Sequence, residues 1–116
     1  MWGERYHMNI DPRTVYIHVQ RPAARALIRF CEEHAKPVPK GLRDCLQCLE
    51  QNDVAGAVLA YLEVPLGGNG TFNDWYPYLV TPDAEREYVM TIFEALVGHW
   101  SLSMRLSMLA ETRPRP

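Results

Sequence analysis

From Pro22 onward the apolar residues recur at three- and four-residue spacing in blocks set apart by proline, glycine or asparagine, as amphipathic helices require. Leu27, Ile28 and Cys31, with Ala24 before and Ala35 after, predict a first helix over Pro22–Ala35, with Pro22 in its first turn. Lys36-Pro37-Val38-Pro39 breaks it, and Pro39 opens a second helix with Leu42, Cys45, Leu46 and Leu49 inward. Asn52-Asp53 supplies capping side chains for a third, whose inward residues are Val54, Ala57, Val58, Tyr61 and Leu62. Pro65 and the run Gly67-Gly68-Asn69-Gly70 end that helix. Thr81-Pro82-Asp83 combines a capping hydroxyl, a proline at the first helical position and an acid on the positive end of the dipole, and so starts the last helix. Its apolar stripe reads Tyr88, Ile92, Ala95, His99, Leu102, Leu106 and Leu109, with Val89, Phe93, Leu96 and Trp100 beside it.

Two stretches also fit a strand. Val15, Ile17 and Val19 alternate with Thr14, Tyr16, His18 and Gln20, which predicts a short N-terminal strand or extended segment. Ser101 to Met108 alternates strictly as well, and Gly98 could mark a switch. The helical spacing runs unbroken through Leu109, so the helix is preferred, a terminal strand paired with Thr14–Gln20 being the alternative.

The expected fold is therefore all-α: a compact bundle of about four helices with a long glycine-rich, aromatic loop before the last. An irregular segment is expected over 1–13, a single helical domain over 14–111 and a disordered tail over 112–116. Composition agrees, since 116 residues with 47% hydrophobic and 22% charged suit one soluble domain. A formal charge of -2 and a pI near 6.1 speak against a general nucleic-acid binder. No run of about 18 apolar residues predicts a membrane span. Met1 to Asp11 lacks a continuous apolar core and a small-residue cleavage site, so cytoplasmic residence is expected.

Candidate chemistry is sparse. Cys31 and His34, with Cys45 and Cys48, make two pairs of metal-type ligands, the number a tetrahedral zinc site needs. Both pairs fall inside predicted helices, and Cys31 and Cys45 on apolar faces, so packing as small hydrophobes is the preferred reading and no metal or cofactor is expected. The loop Glu63–Thr81 is long for a small domain, and such loops are often specialised. Within it, Gly68, Asn69, Thr71, Phe72, Asn73 and Asp74 could line a small-ligand or anion site, though no lysine of a phosphate-binding loop accompanies them. The plainer reading makes Asn69-Gly70 a tight turn, Asn73 and Asp74 local caps, and Phe72 a plug in the core. Trp75, Tyr76 and Tyr78 follow, residue types that dominate interface hot spots. His7, His18, His34 and His99 are scattered, with His99 expected in the core, and no nucleophile stands beside a base in a local signature.

The order of parts, a helix ending in Cys48-Leu49-Glu50-Gln51-Asn52-Asp53, a short helix to Leu62, then Gly67-Gly68-Asn69-Gly70-Thr71-Phe72-Asn73-Asp74, resembles an uncharacterised bacterial family of small helical proteins with a Gly-Gly-x-Gly-Ser/Thr-Phe-Asn-Asp loop. The likeness spans roughly Ala24 to Leu109, with Leu66 where that family carries a tyrosine-like residue. It implies an all-α fold and no known activity, and some small bacterial proteins of this kind look similar to immunity proteins that neutralise a cognate toxin. The expectation is a non-catalytic protein–protein recognition module with an unidentified protein partner, a homodimer being a further option. The alternative is a small-ligand or anion-binding protein, with catalysis as an option, using Gly67–Asp74.

Overall fold

The computed structural model describes residues 14–67, 71–73 and 83–112, without the side chains of 83, 84, 111 and 112. Four helices follow one another: α1 Ile17–Glu33, α2 Lys40–Glu50, α3 Val54–Leu62 and α4 Asp83–Thr112. The fold is an all-α bundle, and no strand occurs among the described residues. The irregular segment expected over 1–13, the capping residues Thr81 and Pro82, and residues 113–116 of the expected tail lie outside them, whereas Thr112 ends α4 as helix.

The predicted N-terminal strand is replaced by helix. α1 begins at Ile17, five residues before Pro22, and buries Ile17, Gln20, Ala24, Leu27, Ile28 and Cys31 on one face. Val15 and Val19 are exposed, since helical periodicity turns them away from the face that Ile17 shares with Ala24. Pro22 lies inside the helix and removes only the bond to the carbonyl of His18, where both residues are exposed and water can replace it. Ala35, expected inward, is exposed beyond the end of the helix.

α1 and α2 end alike. Lys36 N–H reaches Cys31 O at 2.8 Å around Ala35 at φ 55°, and Asp53 N–H reaches Cys48 O at 2.8 Å around Asn52 at φ 61°. Each is a Schellman closure with its pivot in the left-handed region. Arg21, near the start of α1, ties that part of the helix to the end of α2, its Nε donating to Leu49 O at 2.9 Å and its Nη2 to Asn52 Oδ1. Asp53 then caps α3, its carboxylate accepting from Gly56 N–H at 2.9 Å. At Gly41 the α2 backbone nearly touches α3: a Cβ there would lie 2.6 Å from Ala60 O and 2.7 Å from Val64 Cγ2. Val54, Ala57, Val58 and Tyr61 of α3 are buried as expected, but Leu62 is 56% exposed at the helix end.

α4 closes the core against α1 and α3, turned about its axis relative to expectation. Val89, Phe93, Val97, Trp100 and Met104 face inward, while Tyr88, Ala95, His99, Leu102 and Leu109 are exposed and Ile92 and Leu106 half-buried. The stripe expected to lead the core lies on the outer face apart from half-buried Ile92 and Leu106, whereas Val89, Phe93 and Trp100, expected beside it, are the ones that form the core. Two reasons decide this. Phe93 and Trp100 supply the largest volumes, Trp100 meeting Tyr61 edge-on at 5.1 Å between centroids and Phe93 stacking on Phe30 at 5.5 Å. The serines on the inner side are satisfied there: Ser103 Oγ donates to Trp100 O at 2.7 Å, Ser101 shares a 2.5 Å bond with Tyr61, and Ser107 Oγ accepts from the Gln20 amide at 2.7 Å. The alternation over 101–108 is that of a helix with small polar residues against the core, and the terminal-strand alternative falls.

Candidate functional site

The part of the long loop that is described, from Pro65 to Gly67 and from Thr71 to Asn73, is closed by its own bonds. Phe72 N–H donates to Pro65 O at 3.0 Å, and Asn73 Oδ1 accepts from Gly67 N–H at 2.7 Å and from Thr71 Oγ1 at 3.0 Å. Gly67, at φ 85°, adopts the left-handed conformation that the turn needs and that a side chain would resist. Phe72 anchors this closure from beneath. Its ring is buried, lies edge-on to Phe93 at 5.5 Å, and has Lys36 Nζ 4.8 Å from its centroid.

Of the predicted binding residues, the structure thus brings Thr71, Phe72 and Asn73 together, but as a fastening. Phe72 faces the core, and the Asn73 carbonyl oxygen is occupied by two internal donors. Gly68, Asn69, Asp74, Trp75, Tyr76 and Tyr78 lie outside the described residues.

Between this loop and α4 runs an open cleft of about 320 Å³, with Leu66, Gly67 and Asn73 on the loop side and Glu94, Gly98 and Arg105 on the helix side. Glu94, Gly98, Ser101 and Arg105 follow one another at intervals of four, three and four, so they form one ridge of α4. Glu94 and Arg105 stand at opposite ends of it, eleven positions or roughly 16 Å apart along the helix. A Cβ on Gly98 would meet nothing within 4 Å, so the middle of the ridge is open. Sequence reasoning missed this ridge, although the spacing that defines it is legible once the buried face is known.

Next to the ridge lies the outer face of α4. Tyr88 is 70% exposed, Leu102 60% and Leu109 62%, with Ala95 and His99 exposed between them. His99, expected in the core, stands at the middle of this face. Among the described residues no helix is long and apolar enough to cross a membrane.

The four residues weighed as zinc ligands go separate ways. Cys45 is fully buried with its sulfur 3.8 Å from Met104 Sδ, and Cys31 is fully buried on the inner face of α1. His34 packs against Phe30 at 4.2 Å between centroids, and half-buried Cys48 lies beside Asp53. No group of three or more His, Cys, Asp or Glu is placed to hold a metal among the described residues. Burial pushes the Cys45 thiol up to about 12, offset in part by its interaction with the Trp100 indole. Burial raises Cys31 too, and raises Cys48 together with the carboxylates of Asp53 and Asp44. None of the three carries the low thiol pKa of a reactive cysteine.

No protein-family model, curated protein or solved structure matches this chain.

Proposed function

We propose that this protein is a non-catalytic recognition module acting in the cytoplasm, and that the outer face of α4 is its docking surface. The observation that carries this reading is the row of exposed apolar residues Tyr88, Leu102 and Leu109 in helical register on one uncovered face. A monomeric protein rarely leaves a contiguous apolar patch in water without a use for it. The row combines an aromatic with branched aliphatics around small Ala95 and Gly98, a composition and relief suited to close helix packing. An inhibitor that covers a cognate bacterial toxin is the most concrete form of the proposal, supported by the resemblance of the glycine-rich loop. Trp75, Tyr76 and Tyr78, outside the described residues, are proposed as further partner contacts on residue type alone.

The test is affinity capture from native lysate with the wild type, Leu102→Glu and Trp75→Ala. Leu102 is largely exposed, so its replacement should leave the melting temperature nearly unchanged while abolishing capture of a stoichiometric partner. Retention of the same partner by both variants would refute the surface. A second reading is favoured by one observation, the cleft with Glu94 and Arg105 at its ends, which offers both charges to a small polar ligand. A metabolite screen by thermal shift tests it, and a stabilisation lost in Arg105→Ala would move the assignment to the cleft.

A further inference from the structure

We infer that the occupant of the α4 outer face is a second copy of this chain, docked antiparallel through the same face. This rests on the reading of that face as a docking surface and names its partner. Tyr88, Ile92, Ala95, His99, Leu102, Leu106 and Leu109 alternate four-and-three spacing without a break over three heptads, the repeat that seats one helix along another. Apart from Ile92, which packs against the core at its edge, that repeat is distinct from the residues α4 gives to its own core, Val89, Phe93, Val97, Trp100 and Met104. α4 therefore carries two interfaces, of which the monomer uses one.

Charge sets the direction. At 100° per residue Glu87, Glu94 and Arg105 fall on one flank of the apolar row, and all three are exposed. A two-fold antiparallel pair sets this flank against the same flank of the partner with its direction reversed, which brings Glu94 within two residues, about 3 Å along the helix, of the partner's Arg105 on both sides of the axis. A parallel pair sets it against the opposite flank and makes neither contact. An axis near Gly98 and His99 also matches size: Ala95 comes opposite the partner's Leu102, Tyr88 opposite the partner's Leu109, and Gly98 opposite the partner's His99.

Area is sufficient. The row covers 22 positions, about 32 Å of helix, and burying it beneath a second helix removes on the order of 600 Å² per copy from water. Stable pairs bury roughly 600 to 1,000 Å² per partner.

Sedimentation equilibrium of the full chain, from low micromolar to about 200 µM, reads the outcome. The wild type should dimerise, Leu102→Glu should weaken dimerisation at least about tenfold with an unchanged helical spectrum, and Glu94→Arg and Arg105→Glu should each weaken it severalfold. The double variant E94R/R105E should restore it, because reversing both charges restores the antiparallel pairs. A wild type monomeric throughout, or a dimer indifferent to Leu102→Glu, overturns the second copy as occupant. Failure of the double variant to restore a dimer that the single variants weaken overturns the antiparallel arrangement. Failure of the underlying reading is told apart by heterologous capture: a monomeric wild type whose partner is lost in Leu102→Glu keeps the docking surface and removes only the second copy.

Discussion

Replacing Phe72 by alanine tests whether the long loop is fastened to the bundle or merely lies on it. The ring is 7% exposed, edge-on to Phe93 at 5.5 Å, with Lys36 Nζ at 4.8 Å from its centroid. Losing the burial of a phenylalanine side chain costs about 2 to 3 kcal/mol, and the edge-to-face pair adds about 1 kcal/mol. The loop can settle partly into the space left behind, so the cavity contributes less than in a central core site. The sum is about 3 kcal/mol, a large share of the roughly 5 to 15 kcal/mol that holds a domain together. An unfolding entropy near 2 cal/mol/K per residue over 116 residues converts this into a fall in melting temperature of about 12 °C. Urea unfolding followed by the helical circular dichroism signal measures it, with Phe72→Leu losing about half as much. A loss below about 1 kcal/mol would show that the ring does not anchor the loop, and the account of the closure would be wrong.

Four further outcomes are expected. Gly41→Ala should cost about 2 kcal/mol or more by calorimetry, because the new methyl would press on the carbonyl of Ala60, which cannot swing aside as a side-chain end could. Ala35→Gly should stabilise the protein by about 0.5 kcal/mol in the same assay, since alanine there holds φ 55° where glycine is unstrained. Asp53→Ala should cost about 1 kcal/mol by removing the α3 cap and Asp53→Asn only a few tenths, checked by urea denaturation. Cys45 should resist alkylation in the folded protein at pH 8 by mass spectrometry, and its linkage has a definite sign. The folded thiol is raised from 9.0 to about 12, so the unfolded chain loses the proton first, and stability present below pH 9 should be lost progressively as pH rises toward 12.

The two apolar rows of α4 show where sequence reading reached its limit. Both have helical spacing, and the row Tyr88 to Leu109 is the more regular, yet the core takes its neighbour. Sequence hydropathy rates serine as polar, whereas Ser101, Ser103 and Ser107 are small and find acceptors or donors in Tyr61, Trp100 and Gln20 once the helices are in place. Gln20 is the counterpart on α1. It is fully buried, with its amide nitrogen bonded to Ser103 O at 2.9 Å and to Ser107 Oγ while its carbonyl oxygen has no partner among the described residues, a placement that no periodicity would single out. In the loop, the plug at Phe72 and the local capping by Asn73 were readable from residue type, but the cleft beside them was not, because Glu94 and Arg105 stand on the next helix, more than twenty residues further along the chain.

Local chemistry was enough to determine the number of helices, the breaks at Lys36–Pro39 and at Asn52-Asp53 and the cap on α3, since each depends on backbone dihedrals and hydrogen bonds within a few residues. The entry of α1 at Ile17, the rotation of α4 and the exposure of Tyr88, Leu102 and Leu109 were decided only by tertiary packing. There, volume and hydrogen-bond satisfaction across segments separated by up to 87 residues outweigh the regularity of a single helix's own pattern.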